Sequence, residues 1–271
     1  MTGAVVRPPD RVFDGYALDL DGTVYLGDEL LDGAAETLAV LRYVARVVFV
    51  TNKPLETADS YAAKLTRLGI PAQPEDVVTP LDSLVHYLDA HHRGASILTV
   101  AEELVDDVLR DAGYEVLSDP FAVQVVVVSF DRTFTYAKLL AAYRAVNHGA
   151  VIIATNPDPF CPTPDGGLPD CAAMLAAVEA CTGRRAEAIV GKPSAHMGRA
   201  ILARLGADPE KSVIIGDRLL TDIAMADQLG MSSVLVLTGV TTLDDLAHSD
   251  VRPDFIANSI RDILPIREDH Q

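Results

Sequence analysis

The stretch Tyr16-Ala17-Leu18-Asp19-Leu20-Asp21-Gly22-Thr23 joins an apolar run to two carboxylates one residue apart and then to a glycine turn. The apolar run reads as a buried strand, and a strand that stops on Asp-x-Asp-Gly carries acid to the edge of a sheet. In an open parallel sheet, ligands bind outside the carboxyl ends of the strands, which puts Asp19 where a ligand would be held. Side-chain alternation does not survive a sharp turn, so Asp19 and Asp21 can both face one site. Two such carboxylates repel each other unless a proton or a metal lies between them, and oxygen ligands of this kind suit Mg²⁺. Taken alone, the stretch serves equally well as an Asp-Gly turn with two solvated acids.

Outward from this stretch the chain alternates strands and helices. Residues 34–43 carry Ala34, Leu38 and Leu41 at helical spacing, and Val47-Val48-Phe49-Val50 is a second apolar strand that ends on Thr51-Asn52-Lys53-Pro54. A helix is predicted over 55–68, with Gly69 as its stop. Strand, helix, strand is the opening of a parallel α/β sheet. From about Pro80 a second set of elements begins, with helices over 81–92, 102–112, 136–147 and 170–181 and strands over 96–100, 123–129 and 150–154. The run 155–167, Thr-Asn-Pro-Asp-Pro-Phe-Cys-Pro-Thr-Pro-Asp-Gly-Gly, is expected to be an irregular and functional loop. The last third resumes the first pattern. Ala188-Ile189-Val190 leads into Gly191-Lys192-Pro193-Ser194, a helix covers 195–205, and the strand 212–215 ends on Gly216-Asp217-Arg218. A helix over 221–229, strands over 233–237 and 254–257, and a polar tail over 267–271 complete the chain.

Composition narrows the function. With 49% hydrophobic residues among 271, the chain buries a proper core, and a formal net charge of −17 argues against nucleic acid or an anionic membrane as partner. An acidic protein that binds phosphate must do so locally, through a cation, a lysine or backbone N–H groups. The three cysteines, Cys161, Cys171 and Cys181, form no metal or disulfide pattern, and the seven histidines show no metal spacing. With no apolar signal core over 1–9 and no long apolar span, the expected setting is the reducing cytoplasm.

Four places therefore present polar groups at the ends of core elements: Asp19 and Asp21, Thr51 and Asn52, Lys192, and Asp217 with Asp222. Read as one site, they offer a carboxylate nucleophile, a hydroxyl and backbone N–H groups for phosphate oxygens, an ammonium, and carboxylates for Mg²⁺. Phosphoryl transfer to an aspartate asks for this set, because charged oxygens must be neutralised while nucleophile and leaving group stay in line.

These residues also carry a resemblance. Asp19-Leu20-Asp21-Gly22-Thr23, Thr51-Asn52, Gly191-Lys192-Pro193, and Gly216-Asp217-Arg218-Leu219-Leu220-Thr221-Asp222-Ile223 resemble the four motifs of the haloacid dehalogenase superfamily. The insertion containing Thr155-Asn156-Pro157-Asp158 resembles its NagD-like subfamily IIA, which includes 4-nitrophenyl, phosphoglycolate and pyridoxal phosphate phosphatases. The resemblance implies an α/β fold: a Rossmann-like parallel-sheet core over 1–80 and 186–271, with an inserted α/β cap of C2 type over 81–185. It implies Mg²⁺-dependent hydrolysis of a small soluble phosphomonoester such as a sugar phosphate, glycerol phosphate or phosphoglycolate. Asp19 would form an aspartyl-phosphate, Asp21 would act as acid and base, and Thr51, Asn52 and Lys192 would hold the phosphoryl group. Asp19, the Asp21 carbonyl and Asp217 would bind the metal, with Asp222 either a direct ligand or a partner of one. Asn156 and Asp158 would contact substrate, although both also suit a simple turn. Lys53 departs from the small polar residue that relatives mostly carry there. A homodimer through the cap is a further expectation. A phosphotransferase or mutase would use the same motifs, and a receiver-like phospho-acceptor is the non-catalytic rival.

Overall fold

The computed structural model describes residues 5–163 and 166–264. The tail expected over 267–271 and the first four residues of the 1–9 stretch lie outside the described residues. By their contacts the described residues divide into two units, one comprising 5–51, 58–78 and 198–264 and the other 52–57, 79–163 and 166–197. The second unit thus takes in residues 52–57, 79–80 and 186–197, beyond the insertion drawn from the sequence at 81–185.

The first unit is built on a six-stranded sheet in the order Phe255–Ala257, Ser232–Val236, Ser212–Gly216, Gly15–Asp19, Arg46–Val50, Val77–Val78, every neighbouring pair parallel. Strands buried on both faces read as continuous apolar runs, and Gly15–Asp19 and Ser212–Gly216 are buried at all five positions. The chain lays down strands to one side of Gly15–Asp19 and then returns to add the rest on the other side. The topological switch point therefore falls between Gly15–Asp19 and Ser212–Gly216. One face packs Leu18, Phe49, Ile215, Val234 and Val236 against Leu38 and Leu41 of helix Ala34–Val44 and against Tyr61 and Leu65 of helix Ala58–Arg67. The second of these begins three residues later than expected, since Pro54 and Leu55 make a turn and Thr57, a residue type favoured at N-caps, stands just ahead of Ala58.

The second unit is a five-stranded parallel sheet in the order Ala188–Ile189, Val151–Ala154, Val125–Val128, Ser96–Val100, Glu115–Val116. Helices Pro80–His91 and Glu103–Asp111 cover one face through Leu84, Leu88, Val105 and Leu109. Helices Tyr136–Asn147 and Cys171–Thr182 cover the other through Ala142, Ala145, Leu175 and Val178. Helix starts follow side-chain capping: Thr79 accepts from the Asp82 N–H in a capping box, and Thr135 accepts from the Lys138 N–H.

One expectation fails here. The run 155–167 is not irregular throughout, because Phe160–Thr163 and Gly166–Pro169 pair as an antiparallel ribbon. A two-stranded ribbon consists only of edges, so Pro162 can sit opposite Gly167 without interrupting a ladder on its outer side. The density of proline and glycine that argues against a central strand does not forbid this one.

Candidate active site

Register decides what the first unit presents at its switch point. Asp19 lies opposite Val50 and Leu18 opposite Ile215, so the strands end level, and the residues at that edge are Asp19, Thr51 and Asp217. Thr51 is buried, and its N–H donates to Val78 O at 3.1 Å. Beyond Asp19 the chain coils tightly. The N–H groups of Thr23, Val24 and Tyr25 all point at Leu20 O, and Gly22 N–H donates to Tyr25 O at 2.8 Å. Gly22 holds φ at 91°, the left-handed region that glycine occupies without steric cost.

The Asp217 carboxylate sits in a cradle of backbone. Its Oδ2 accepts the Val240 N–H at 2.6 Å, its main-chain oxygen accepts the Thr241 N–H at 3.2 Å, and a Cβ on Gly239 would overlap the carboxylate. Asp222 lies in the π-helical turn Leu219–Ile223 that precedes helix Ala224–Leu229, where a continuous helix was expected over 221–229. Its Oδ2 accepts the Arg218 N–H at 3.2 Å and the Thr221 hydroxyl at 3.4 Å.

One carboxylate oxygen from each of Asp19, Asp217 and Asp222 comes within 4.8 Å of the others, and these residues are 8%, 1% and 1% exposed. Three buried carboxylates at this spacing are costly unless a cation or protons offset them. The donors are all hard oxygens, which is the set Mg²⁺ prefers, so the residues fit that ion. Asp21 is half-buried, and among the described residues its carboxylate is outside this cluster. Its expected metal contact is through the main-chain carbonyl, and its side chain is the expected acid and base.

The second unit contains the remaining candidate residues, and a network of buried amides joins these to one another. Lys192 is 2% exposed and follows strand Ala188–Ile189. Asn52 Oδ1 accepts the Lys192 N–H at 2.7 Å, while Asn52 Nδ2 donates to Lys192 O at 3.1 Å and to Asp158 Oδ2 at 3.0 Å. Asn156 Nδ2 donates to Asn52 O at 2.9 Å, and Asn156 Oδ1 accepts the Asp158 N–H at 2.9 Å. Asn156 and Asp158, expected to meet substrate, are thus buried among protein partners. Ser194 accepts the His196 N–H at 3.1 Å, as a cap of helix Ala195–Leu205 should. Lys53 is half-buried. Asp131 is bonded to Lys138 Nζ at 2.7 Å and to Thr133. Burial pushes the Cys171 thiol up to about 12, which removes it as a nucleophile.

Sequence reasoning missed Gly239-Val240 and Asp170. The first was signalled by a polar glycine turn after the apolar strand Ser232–Val236, the same pattern that marked the other motifs. Asp170 caps helix Cys171–Thr182 and also accepts Asn156 Nδ2 at 3.3 Å.

Comparison with known proteins agrees with this fold. A haloacid dehalogenase-like hydrolase model matches residues 16–115, and a HAD-hydrolase-like model matches residues 189–263. The chain is 35% identical over 256 residues to sugar-phosphatase AraL of Bacillus subtilis, covering 94% of this chain and 93% of that protein. Among solved structures, 4-nitrophenylphosphatase from Thermotoga maritima superposes with a TM-score of 0.86 at 34% identity, covering 93% of this chain and 96% of that one. Glycerol phosphate phosphatase from Mycobacterium tuberculosis, in complex with magnesium, superposes with a TM-score of 0.85 at 34% identity, covering 93% and 76%. No helix among the described residues is long and apolar enough to cross a membrane. With an α/β fold of parallel sheets, buried acids at the switch point and relatives alike over nearly its whole length, this chain belongs to the haloacid dehalogenase-like hydrolases and is a phosphatase.

Proposed function

We propose that the protein is a Mg²⁺-dependent phosphomonoesterase acting on a small sugar or polyol phosphate through an aspartyl-phosphate at Asp19. The observation that carries this reading is the buried cluster of Asp19, Asp217 and Asp222 at the switch point of the first unit's sheet. Asp19, Asp217 and Asp222, with the Asp21 carbonyl, would hold the ion, which when bound offsets charge on the acids and on the phosphoryl oxygens.

In the first step the Asp19 carboxylate attacks phosphorus, the bond from phosphorus to the ester oxygen breaks, and Asp21 gives its proton to the leaving alkoxide. In the second, Asp21 takes a proton from water, the resulting oxygen attacks the same phosphorus, and inorganic phosphate leaves with Asp19 restored. The Thr51 hydroxyl and the Asn52 N–H are assigned to the phosphoryl oxygens, and the Lys192 ammonium to their charge. Two carboxylates divide the work because one must stay ionised to attack while the other must cycle its proton.

The sugar-phosphatase and glycerol phosphate phosphatase names of relatives favour a polyol or sugar leaving group. Residues 81–185 are assigned its selection, since the motif residues serve only the phosphoryl end that all such esters share. Phosphate release should be screened over sugar phosphates, glycerol phosphate, phosphoglycolate, pyridoxal phosphate and nucleotides, with and without Mg²⁺. Strong Mg²⁺-dependent release from a sugar or glycerol phosphate supports the proposal. Release from none of them, or transfer to an added alcohol in preference to water, contradicts it.

A further inference from the structure

We infer that Asn52, Asn156 and Asp158 form a bracket that fixes the Lys192 turn, so that they are positioning residues for Lys192 and not contacts to the leaving group. The inference rests on the proposed role of Lys192 at the phosphoryl group.

The Asn52 carboxamide engages both backbone groups of one residue, accepting the Lys192 N–H at 2.7 Å and donating to Lys192 O at 3.1 Å. It does for Lys192 what a neighbouring strand would do, at a place where the strand Ala188–Ile189 has already ended. A carboxamide alone among small side chains supplies donors and an acceptor at this reach. Its remaining donor capacity goes to Asp158 Oδ2 at 3.0 Å.

Asn52 is steadied in turn. Asn156 Nδ2 donates to Asn52 O at 2.9 Å and to Asp170 Oδ1 at 3.3 Å, and Asn156 Oδ1 accepts the Asp158 N–H at 2.9 Å. Both amide hydrogens of Asn156 are thereby committed, and the residue is 0% exposed, which leaves it no donor for a leaving group. Sheet register explains why these partners meet. Ile189 lies opposite Ala154, so the chain leaving each strand runs alongside the other, and Gly191 N–H donates to Thr155 O at 2.8 Å. The approach is close enough that a Cβ on Gly191 would lie 2.5 Å from Thr155 O and 2.7 Å from Asn52 Oδ1. A lysine side chain has many rotamers, so its ammonium is placed only as well as its backbone is, and a misplacement of about 1 Å costs on the order of 100-fold in rate.

The test compares full-length Lys192→Ala, Asn156→Ala, Asp158→Ala, Asp158→Asn and the double variant Asn156→Ala with Lys192→Ala, each checked for folding by thermal unfolding. The readouts are kcat/KM on 4-nitrophenyl phosphate, glycerol phosphate and a sugar phosphate, and inhibition by inorganic phosphate. Asn156→Ala is expected to lower kcat/KM by about 10- to 100-fold, by one common factor on all three substrates, and to weaken phosphate inhibition. In the Lys192→Ala background it should add no more than about twofold, the scatter of independent sites. Asp158→Asn, which keeps an acceptor for Asn52, should recover most of what Asp158→Ala loses, and this pair decides the matter if Asn156→Ala does not fold. Losses that differ by more than about tenfold between substrates, or that add fully to Lys192→Ala, would overturn the bracket in favour of leaving-group contacts. A fully active Lys192→Ala would instead refute the function proposed for Lys192. An inactive Lys192→Ala beside a fully active Asn156→Ala would refute only the bracket.

Discussion

Replacing Gly239 with alanine drives a methyl group into the Asp217 carboxylate. The added Cβ would lie 2.5 Å from Asp217 Cγ and 2.6 Å from its Cβ, and nearer still to Oδ2. The loop cannot retreat without cost, because Val240 N–H donates to that oxygen at 2.6 Å and Thr241 N–H to Asp217 O at 3.2 Å. Overpacking of this kind costs about 1–3 kcal/mol. The carboxylate, at the end of a rotatable side chain, is the part that yields, and it leaves the place in which it lies within 4.8 Å of the Asp19 and Asp222 carboxylates. If the whole cost falls on ion binding, at about 1.4 kcal/mol per tenfold, the Mg²⁺ concentration giving half-maximal activity rises about 5- to 150-fold. The assay is a Mg²⁺ titration of 4-nitrophenyl phosphate hydrolysis, with thermal unfolding followed in parallel. A titration curve and a melting temperature both identical to wild type would refute the confinement of Asp217 and its assignment to the ion.

Asp21→Asn should cut turnover by about 10²- to 10⁴-fold on an alkyl phosphate and by much less on 4-nitrophenyl phosphate, whose leaving group needs little protonation; equal losses on both would remove Asp21 as the acid. Chelation by EDTA should abolish turnover and lower the melting temperature, since Asp19, Asp217 and Asp222 then lose their counter-charge; at about 100 times the dissociation constant the bound ion is worth about 2.7 kcal/mol. Undiminished hydrolysis after exhaustive chelation would contradict the metal assignment. Hydrogen bonds from Arg132, at 2.6 and 2.7 Å, hold the Glu102 carboxyl below its ordinary value of 4.5. The stabilisation from that pair is full above the unfolded carboxyl's titration and is lost as pH falls through the folded one. Arg132→Gln should therefore lower the melting temperature by a few degrees at neutral pH, for at most about 1 kcal/mol, and by progressively less as pH falls through the folded carboxyl's titration. A gap that persists in acid would assign the effect to packing.

Much of the architecture was legible because buried parallel strands and capped helices leave strong marks. Ser96–Val100, Tyr136–Asn147 and Ala195–Leu205 fall where apolar runs and periodicity put them. The acids Asp19 and Asp217 were legible for a related reason, since a polar residue ending an apolar strand has no packing role to explain it. The ribbon Phe160–Thr163 with Gly166–Pro169 was not legible, because its proline and glycine content is that of a loop and only pairing distinguishes the two. The cradle at Gly239 and Val240 works through a missing Cβ and a backbone N–H, so the glycine turn that ends the strand marks the place without telling which side chain it holds. Asn156 and Asp158 stood out in the sequence, but whether they face outward or hold the chain depends on the partners that register brings near them.

The central claim is that Asp19 itself becomes phosphorylated. It is tested most directly by quenching the enzyme in acid during turnover, reducing it with borohydride, and locating the reduced carboxyl by peptide mass spectrometry. An acyl phosphate is reduced to an alcohol, whereas a free carboxylate is not. The account predicts conversion at Asp19 alone, dependent on both substrate and Mg²⁺. Conversion at Asp21, Asp217 or Asp222, or at no carboxyl in a protein that is turning over, would contradict it.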